Sequence, residues 1–364
     1  MLPLEARCSP DACWRFRLPT AGLMKKEMGD VIVSTFDIGE AQLSEVVTKV
    51  QALEKEVAKV MVGQQEVIRQ VLLCLLAGGH ALLEGVPGLG KTLLVRTLGQ
   101  VLGLKFARIQ FTPDLMPADI MGTNVMTETA AGRGFQFQPG AVFANLVLAD
   151  EINRATPKTQ SALLEAMQER TVSVAGVTRP LPNPFFVLAT QNPLEMEGTY
   201  PLPEAQLDRF LFKIMVSFPG VEDLKRILVS TTGGDAAEAA NVVAGEELAH
   251  LIGVAKHVPV ADHVADYIIR LLLATHPEES RANERVRKYV RYGASPRGAQ
   301  AILLTARIRA LLDGRFNVAF DDVDAVAFPA LRHRFFINFE GEAEGVTTDS
   351  LIEELIATVP KTLA

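Results

Sequence analysis

Cysteine, tryptophan and long apolar runs are all scarce in this chain of 364 residues. Its three cysteines are an odd number, so we expect no disulfide framework and predict a cytoplasmic protein. No apolar run approaches the roughly 18 residues that a membrane span needs, so no transmembrane segment is predicted. The net charge of −7 argues against a protein whose main surface binds nucleic acid.

Residues 1–38 differ from the rest of the chain because they show no hydrophobic periodicity. They contain Cys8, Cys13 and the single tryptophan, Trp14, and they lack the apolar run of a secretory signal. The two cysteines have no second Cys or His pair nearby, which favours a disordered extension over a zinc site.

The most informative segment covers residues 81–92, where an apolar strand leads into the pattern G-x-x-x-x-G-K-T at the start of an amphipathic helix. This is a P-loop in its expected strand, loop and helix context. Backbone N–H groups of such a loop surround phosphate oxygens, while Lys91 would reach the β- and γ-phosphates and Thr92 would ligate Mg²⁺. The predicted nucleotide-binding residues of the loop are Gly85, Val86, Pro87, Gly88, Leu89, Gly90, Lys91 and Thr92.

Polar groups also follow two later apolar strands. Asp150 and Glu151 end one strand, and Asn192 follows another. We predict that Asp150 holds Mg²⁺ through its water shell and that Glu151 orients and deprotonates the attacking water. Asn192 can hydrogen-bond the γ-phosphate and the water, since ligands of open α/β sheets collect at strand ends.

Two arginines complete the predicted set of catalytic groups. Arg209 lies just before the last predicted strand, and Arg297 opens a later helix. A guanidinium stabilises charge on the transferred phosphoryl group, and one supplied by a neighbouring molecule can raise the rate by ~10³ to 10⁵. A solvated or ion-paired arginine is the alternative for each.

The hydrophobic pattern indicates an α/β domain followed by a helical one. Apolar runs bounded by turns are predicted as buried parallel strands near residues 81–84, 106–109, 146–149, 185–189 and 210–216. Only helical periodicity follows Gly220, including a helix over Pro296–Leu312 with Ser295 as its cap. We predict an extension over residues 1–38, a nucleotide domain over 39–220 and a helical domain over 221–364.

Two hairpins are predicted inside the nucleotide domain. The first joins residues 122–126 to 134–138, and the second folds around Ala175 and Gly176. Phe135 and Phe137 in the first hairpin suit either contact with a client or packing within the hairpin. A basic run over residues 281–291 is interpreted as a solvated or subunit-facing surface.

Taken together and in order, the motifs resemble the MoxR family of AAA+ ATPases. The resemblance covers the chain from about Ala41 to its end. It rests on VGQ at 62–64, GVPGLGKT at 85–92, IQFTPD at 109–114, DEINRA at 150–155, SALLEAMQER at 161–170 and GTYPLPEAQLDRF at 198–210.

The resemblance implies an AAA+ P-loop αβα core whose two hairpins are a helix-2 insert and a pre-sensor 1 insert, followed by a small all-α lid. It also implies ATP and Mg²⁺ as cofactors and a homo-oligomeric, usually hexameric, ring. Asn192 would be the sensor 1 residue, Arg209 an arginine finger acting in trans, and Arg297 the sensor 2 residue, acting in cis or in trans. The implied clients are von Willebrand factor A domain proteins, on which the family acts as a chaperone.

Two other functions remain open at the level of sequence. A DNA-remodelling AAA+ motor would need dense positive charge, yet Arg133 and Glu128 offset each other in the first hairpin and only Arg170 and Arg179 flank the second. A nucleotide-gated binding module would respond to occupancy with little turnover.

Overall fold

The computed structural model describes residues 40–129, 132–193, 198–232 and 238–362. The extension predicted over residues 1–38 lies outside them. The domain boundaries at 38/39 and 220/221 stay predictions.

A five-stranded parallel sheet forms the centre of the fold, with the strand order β2-β5-β8-β1-β9. The strands of the described residues are β1 Ala81–Glu84, β2 Phe106–Gln110, β3 Gly122–Thr129, β4 Gly132–Pro139, β5 Leu146–Asp150, β6 Thr171–Val174, β7 Val177–Pro180, β8 Phe186–Gln191, β9 Phe212–Met215, β10 Val290–Tyr292 and β11 Phe336–Ile337. The five predicted core strands are therefore confirmed, with ends shifted by one or two residues at several of them.

Helices cover both faces of the sheet and make up most of the C-terminal region. They are α1 Glu40–Val60, α2 Gln65–Leu76, α3 Lys91–Val101, α4 Pro117–Met121, α5 Pro157–Glu169, α6 Glu204–Leu207, α7 Val221–Thr232, α8 Gly245–Ala255, α9 Asp262–Leu273, α10 Glu284–Tyr289, α11 Pro296–Leu312, α12 Phe320–Leu331, α13 Phe339–Ala343 and α14 Thr348–Thr358. No helix among the described residues is long and apolar enough to cross a membrane.

Alternation along the strands sends apolar side chains to two separate hydrophobic cores. In β5, Leu146 and Leu148 face the core shared with α1, α2 and α3, whereas Val147 and Ala149 face the core built with α5. Strands buried on both faces are typical of parallel sheets and explain the continuous apolar runs in the sequence. The predicted αβα core is confirmed.

The C-terminal region, residues 221–232 and 238–362 of the described chain, is called the lid here. It is predicted to be all-α and is helical apart from one short pair of strands. β10 and β11 pair antiparallel, between Val290 and Ile337. The predicted helix α11 has the expected bounds, but Ser295 does not cap it through its side chain. Instead the Ser295 hydroxyl donates to the Asp208 carboxylate at 2.8 Å, which ties the lid to the core.

Both predicted hairpins are present. β3 and β4 pair antiparallel with Met126 opposite Phe135, and β6 and β7 pair around a turn in which Ala175 and Gly176 have φ of 50° and 77°. Two successive residues with positive φ are typical of the tight hairpin turn that matches strand twist.

The two phenylalanines of the first hairpin have different environments. Phe137 stacks under the Arg179 guanidinium of the second hairpin, 3.8 Å from its ring centre, and meets Phe143 edge-on. Phe135 is 74% exposed. Phe137 therefore packs between the hairpins, while Phe135 faces outward.

Candidate nucleotide site

The P-loop connects β1 to α3 and bends where glycine is needed. Gly88 and Gly90 have φ of +84° and +77°, a region that disfavours side chains. Gly85 is required for packing, because a Cβ there would lie 2.7 Å from the Val216 carbonyl oxygen. The Gly85 N–H donates to Gln191 at 3.3 Å. Gly85 thus starts the loop, and its predicted role in phosphate binding stays a prediction.

Lys91 is the first residue of α3 and lies within its own loop. Its Nζ donates to the Gly85 carbonyl at 2.5 Å. Burial lowers the pKa of Lys91, while Asp150, Glu151 and Glu84 act in the opposite direction. The ammonium group is thus held at the cleft among carboxylates, where an added phosphate would meet a charged donor.

The loop and the strand ends enclose a cleft of about 270 Å³. Val86 packs against the hydrophobic core and Leu89 is buried in it, so neither lines the cleft and both would meet a nucleotide through the backbone. The cleft is lined by Pro87, Gly88, Gly90, Lys91, Thr92, Arg108, Gln110, Asp150, Glu151, Thr190 and Asn192.

A hydrogen-bonded relay orders the two predicted carboxylates. The Thr190 hydroxyl donates to Asp150 at 2.7 Å and accepts from the Glu151 N–H at 2.8 Å. Glu151 has φ of 57° and ψ of 51°, a left-handed conformation that is costly for a residue with a side chain. The strand end turns sharply there, and Thr190 on the neighbouring β8 fixes the turn.

Besides Thr190, three further groups that the sequence interpretation did not assign contact these carboxylates. Arg108 donates to Asp150 at 2.7 Å, and Gln110 donates to Glu151 at 2.8 Å. Arg154 also pairs with Glu151, at 2.9 Å. Arg108 and Gln110 end β2, which pairs with β5. The IQFTPD motif marks this segment, but only the strand order places it beside Asp150.

The donor set at the cleft suits Mg²⁺. Asp150 supplies a carboxylate and Thr92 a hydroxyl, the hard oxygen ligands that this ion prefers. The Arg108 guanidinium against Asp150 shows that the carboxylate already accommodates a cation. No cluster of three or more potential metal-ligating carboxylates, histidines or cysteines occurs among the described residues.

The predicted arginines lie apart from this cleft. Arg209 and Arg297 line a second cavity of about 200 Å³ together with Asp208 and Arg334. Asn192, in contrast, is buried and lines the nucleotide cleft. The structure thus brings together Lys91, Thr92, Asp150, Glu151 and Asn192, and separates Arg209 and Arg297 from them.

Comparisons with known proteins agree with this architecture. Residues 80–212 match the model of the ATPase family associated with various cellular activities (AAA), and residues 282–355 match the AAA lid domain. A solved structure from Cytophaga hutchinsonii, described as a candidate ATPase, superimposes with a TM-score of 0.83 at 40% identity and covers 88% of this chain and 97% of its own.

Relatives that are similar over most of their length identify the family within the AAA ATPases. Chaperone MoxR1 of Mycobacterium tuberculosis is 44% identical over 85% of this chain and 82% of its own length. Protein MoxR of Methylorubrum extorquens is 32% identical over 90% of this chain and 99% of its own length. The chain therefore belongs to the MoxR family of AAA ATPases. It binds nucleotide and hydrolyses ATP.

Proposed function

We propose that this ATPase works as a closed homo-oligomeric ring, a hexamer, that hydrolyses Mg²⁺-bound ATP to remodel or mature protein clients. Thr92 and Asp150 would hold the Mg²⁺, which would supply positive charge beside the transferred γ-phosphoryl group. Lys91 and the loop backbone bind the phosphates. Glu151 deprotonates the attacking water, and Asn192 orients it.

The separation of Arg209 and Arg297 from the cleft carries this proposal. Loose phosphoryl-transfer transition states depend on positioned positive charge, and a trans-acting arginine is one common source. Arg108 lies at the cleft but is occupied by Asp150. A neighbouring subunit that presents Arg209 would add an uncommitted guanidinium, since no ion pair or hydrogen bond of that side chain occurs within the described part of the chain. Arg297 lines the same second cavity and is the proposed sensor 2 residue, which contacts the nucleotide of its own subunit or of a neighbour.

Mixed rings test the shared site. Arg209→Ala and Glu151→Gln subunits are each expected to be inactive alone. In a random mixture at equal amounts, half of the subunits carry an intact cleft and the other half carry an intact Arg209. Roughly a quarter of the subunit interfaces in a closed ring should then join an intact cleft to an intact Arg209 and regain activity. Arg226→Ala, at an exposed arginine that pairs with Asp223, serves as the control and should keep full activity. Absence of recovery at every mixing ratio would contradict a finger in trans.

The proposed clients are proteins with von Willebrand factor A domains, and the proposed action on them is that of a chaperone. The name of the Mycobacterium tuberculosis relative supports chaperone action. Glu151→Gln is expected to retain ATP and hold its client, so affinity capture in ATP followed by mass spectrometry should enrich such a protein. Capture without nucleotide is the control, and equal recovery in both would refute client binding gated by ATP.

The hairpins do not support the alternative of a DNA-remodelling motor. Arg133 pairs with Glu128 at 2.8 Å, and Arg179 is engaged by the Phe137 ring. Arg170 donates to carbonyls of Phe185 and Gly78. Arg170 and Arg179 are thus engaged within the fold and Arg133 is paired at the surface, whereas a nucleic-acid groove needs basic side chains free for phosphates. DNA binding that weakens with salt and stimulates ATPase activity would revive this alternative.

A further inference from the structure

One buried arginine of the lid is bonded to the chain on both sides of Arg209. Arg334 follows the end of α12, and its side chain is 2% exposed. Its guanidinium donates to the carbonyl oxygens of Phe210 at 2.7 Å and Leu211 at 3.0 Å. A longer bond of 3.3 Å reaches the Asp208 carbonyl. These carbonyls belong to residues 208–213, which we call the finger segment.

The Asp208 side chain joins the same contact from the core. Its carboxylate accepts from Arg334 Nε at 2.9 Å and from the Ser295 hydroxyl at 2.8 Å. Arg297 approaches its other oxygen at 3.6 Å. A single carboxylate of the core is therefore shared by three lid residues, two of which lie at the start of α11.

The two residues before Arg334 continue the contact along the finger segment. His333 Nε2 lies 3.0 Å from the Phe210 carbonyl, which can only accept, so Nε2 bears the hydrogen. Arg332 donates to the Lys213 carbonyl at 3.2 Å and is itself held by both oxygens of Asp349 at 3.0 Å. We call Arg332, His333 and Arg334 the lid clamp.

The hydrogen bonds of the lid clamp fix the position of the lid relative to the finger segment. Apolar packing would join lid and core without fixing their register, but a planar guanidinium requires its acceptors at set positions. A buried charge is tolerated only where its partners remain in place. Sliding or lifting the lid would strip Arg334 of its carboxylate and carbonyl partners. Phe212 and Lys213 are held by β1 in the sheet, so the part of the finger segment that should follow the lid is residues 208–210.

Arg209 is placed by its neighbours rather than by its own side chain. Within the described residues its guanidinium has no ion pair or hydrogen bond, while Asp208 and Phe210 on either side are bonded to the clamp. Phe210 is in addition fully buried. The direction in which Arg209 projects is therefore set jointly by the lid and by α6, whose Gln206 carbonyl accepts from the Arg209 N–H at 3.2 Å.

We propose that the lid clamp is a positioning device that makes the lid and the Arg209 finger move as one body. The inference rests on the proposed role of Arg209 in trans. A lid that shifts with the nucleotide state of its own subunit would then present or withdraw the finger from the neighbouring cleft. The clamp residues touch no nucleotide and act through Arg209.

Arg334→Lys tests the clamp, because lysine keeps the charge but cannot bond several carbonyls in one plane. ATP affinity should change less than twofold, since the residue lies outside the nucleotide cleft, whereas kcat should fall at least tenfold. Arg307→Lys is the matched control: Arg307 is another lid arginine that donates to a carbonyl, that of Lys256, away from the finger segment. Its kcat should stay within twofold of the wild type.

Subunit mixing separates positioning of the finger from general damage. Mixed with Glu151→Gln, Arg334→Lys should recover activity in roughly a quarter of the sites, as Arg209→Ala does, because its own cleft is intact. Recovery with Arg209→Ala but not with Arg334→Lys would overturn the clamp and leave the proposed function standing. Failure of both mixtures would overturn both. Full activity of Arg334→Lys alone would also refute the clamp.

A second pair of variants tests the lid clamp if Arg334→Lys does not fold. His333→Leu removes the donor to Phe210, and His333→Gln keeps one. We expect His333→Leu to lower kcat without changing ATP affinity, and His333→Gln to restore it. Equal kcat of the two variants would refute positioning by this hydrogen bond.

Discussion

Acid should destabilise the ATPase core through His80, which is buried beside β1. Its Nδ1 accepts from the Val187 N–H at 3.0 Å, and its Nε2 donates to the Met167 carbonyl at 3.2 Å. Both ring nitrogens are thus used by the neutral form. Burial, together with the nearby Arg170 guanidinium, lowers the pKa of His80 to about 3.

The direction and the size of the change in stability with pH follow from the lowered pKa of His80. The ordinary pKa of histidine is about 6.5, so between pH 6.5 and 3 the unfolded chain binds a proton that the folded chain excludes. Stability from His80 is fully present above pH 6.5 and declines as the pH falls. Between pH 7.5 and pH 5 the loss is about 2 kcal/mol, which follows from 1.36 kcal/mol for each pH unit below 6.5.

Urea denaturation at pH 7.5 and pH 5 measures this loss. His80→Gln keeps a donor and an acceptor without titrating, so the difference between the two pH values should be smaller in the variant by about 2 kcal/mol. His333 is also buried, and burial with the nearby Arg334 guanidinium lowers its pKa, so it contributes equally to wild type and variant. An identical pH dependence in the two proteins would refute the argument.

Three further predictions concern the site and the hairpins. Glu151→Gln should bind ATP normally while turnover falls by about 10² or more, measured by nucleotide titration and phosphate release; unchanged turnover would exclude Glu151 as the base. Gly85→Ala should lower the free energy of unfolding by roughly 1–3 kcal/mol in urea titrations, because the added Cβ meets the Val216 carbonyl; equal stability would contradict that close approach. Phe137→Ala should destabilise the protein by about 1 kcal/mol or more through loss of its cation–π stack, whereas Phe135→Ala should stay within about 0.5 kcal/mol; equal losses in calorimetry would refute the distinction.

Local signals in the sequence were enough to predict much of the fold. The P-loop pattern predicts β1, the loop and α3 because strand, glycine turns and helix follow each other directly in the chain. The hairpin around Ala175 and Gly176 was predictable for the same reason, since its turn depends on two adjacent residues. The pair β10 and β11 was missed, because two and three residues are too few to show alternation.

The sequence by itself determined the chemistry of the candidate site, because Lys91, Thr92, Asp150, Glu151 and Asn192 all follow apolar strands whose ends must meet at one edge of a parallel sheet. Tertiary structure alone decided their partners. Arg108 and Gln110 reach the two carboxylates only because β2 lies beside β5, an order that no local pattern encodes. Arg334 and Asp208 are 126 positions apart in the sequence. Only the packing of the lid on the core brings the buried Arg334 guanidinium to the Asp208 carboxylate beside Arg209.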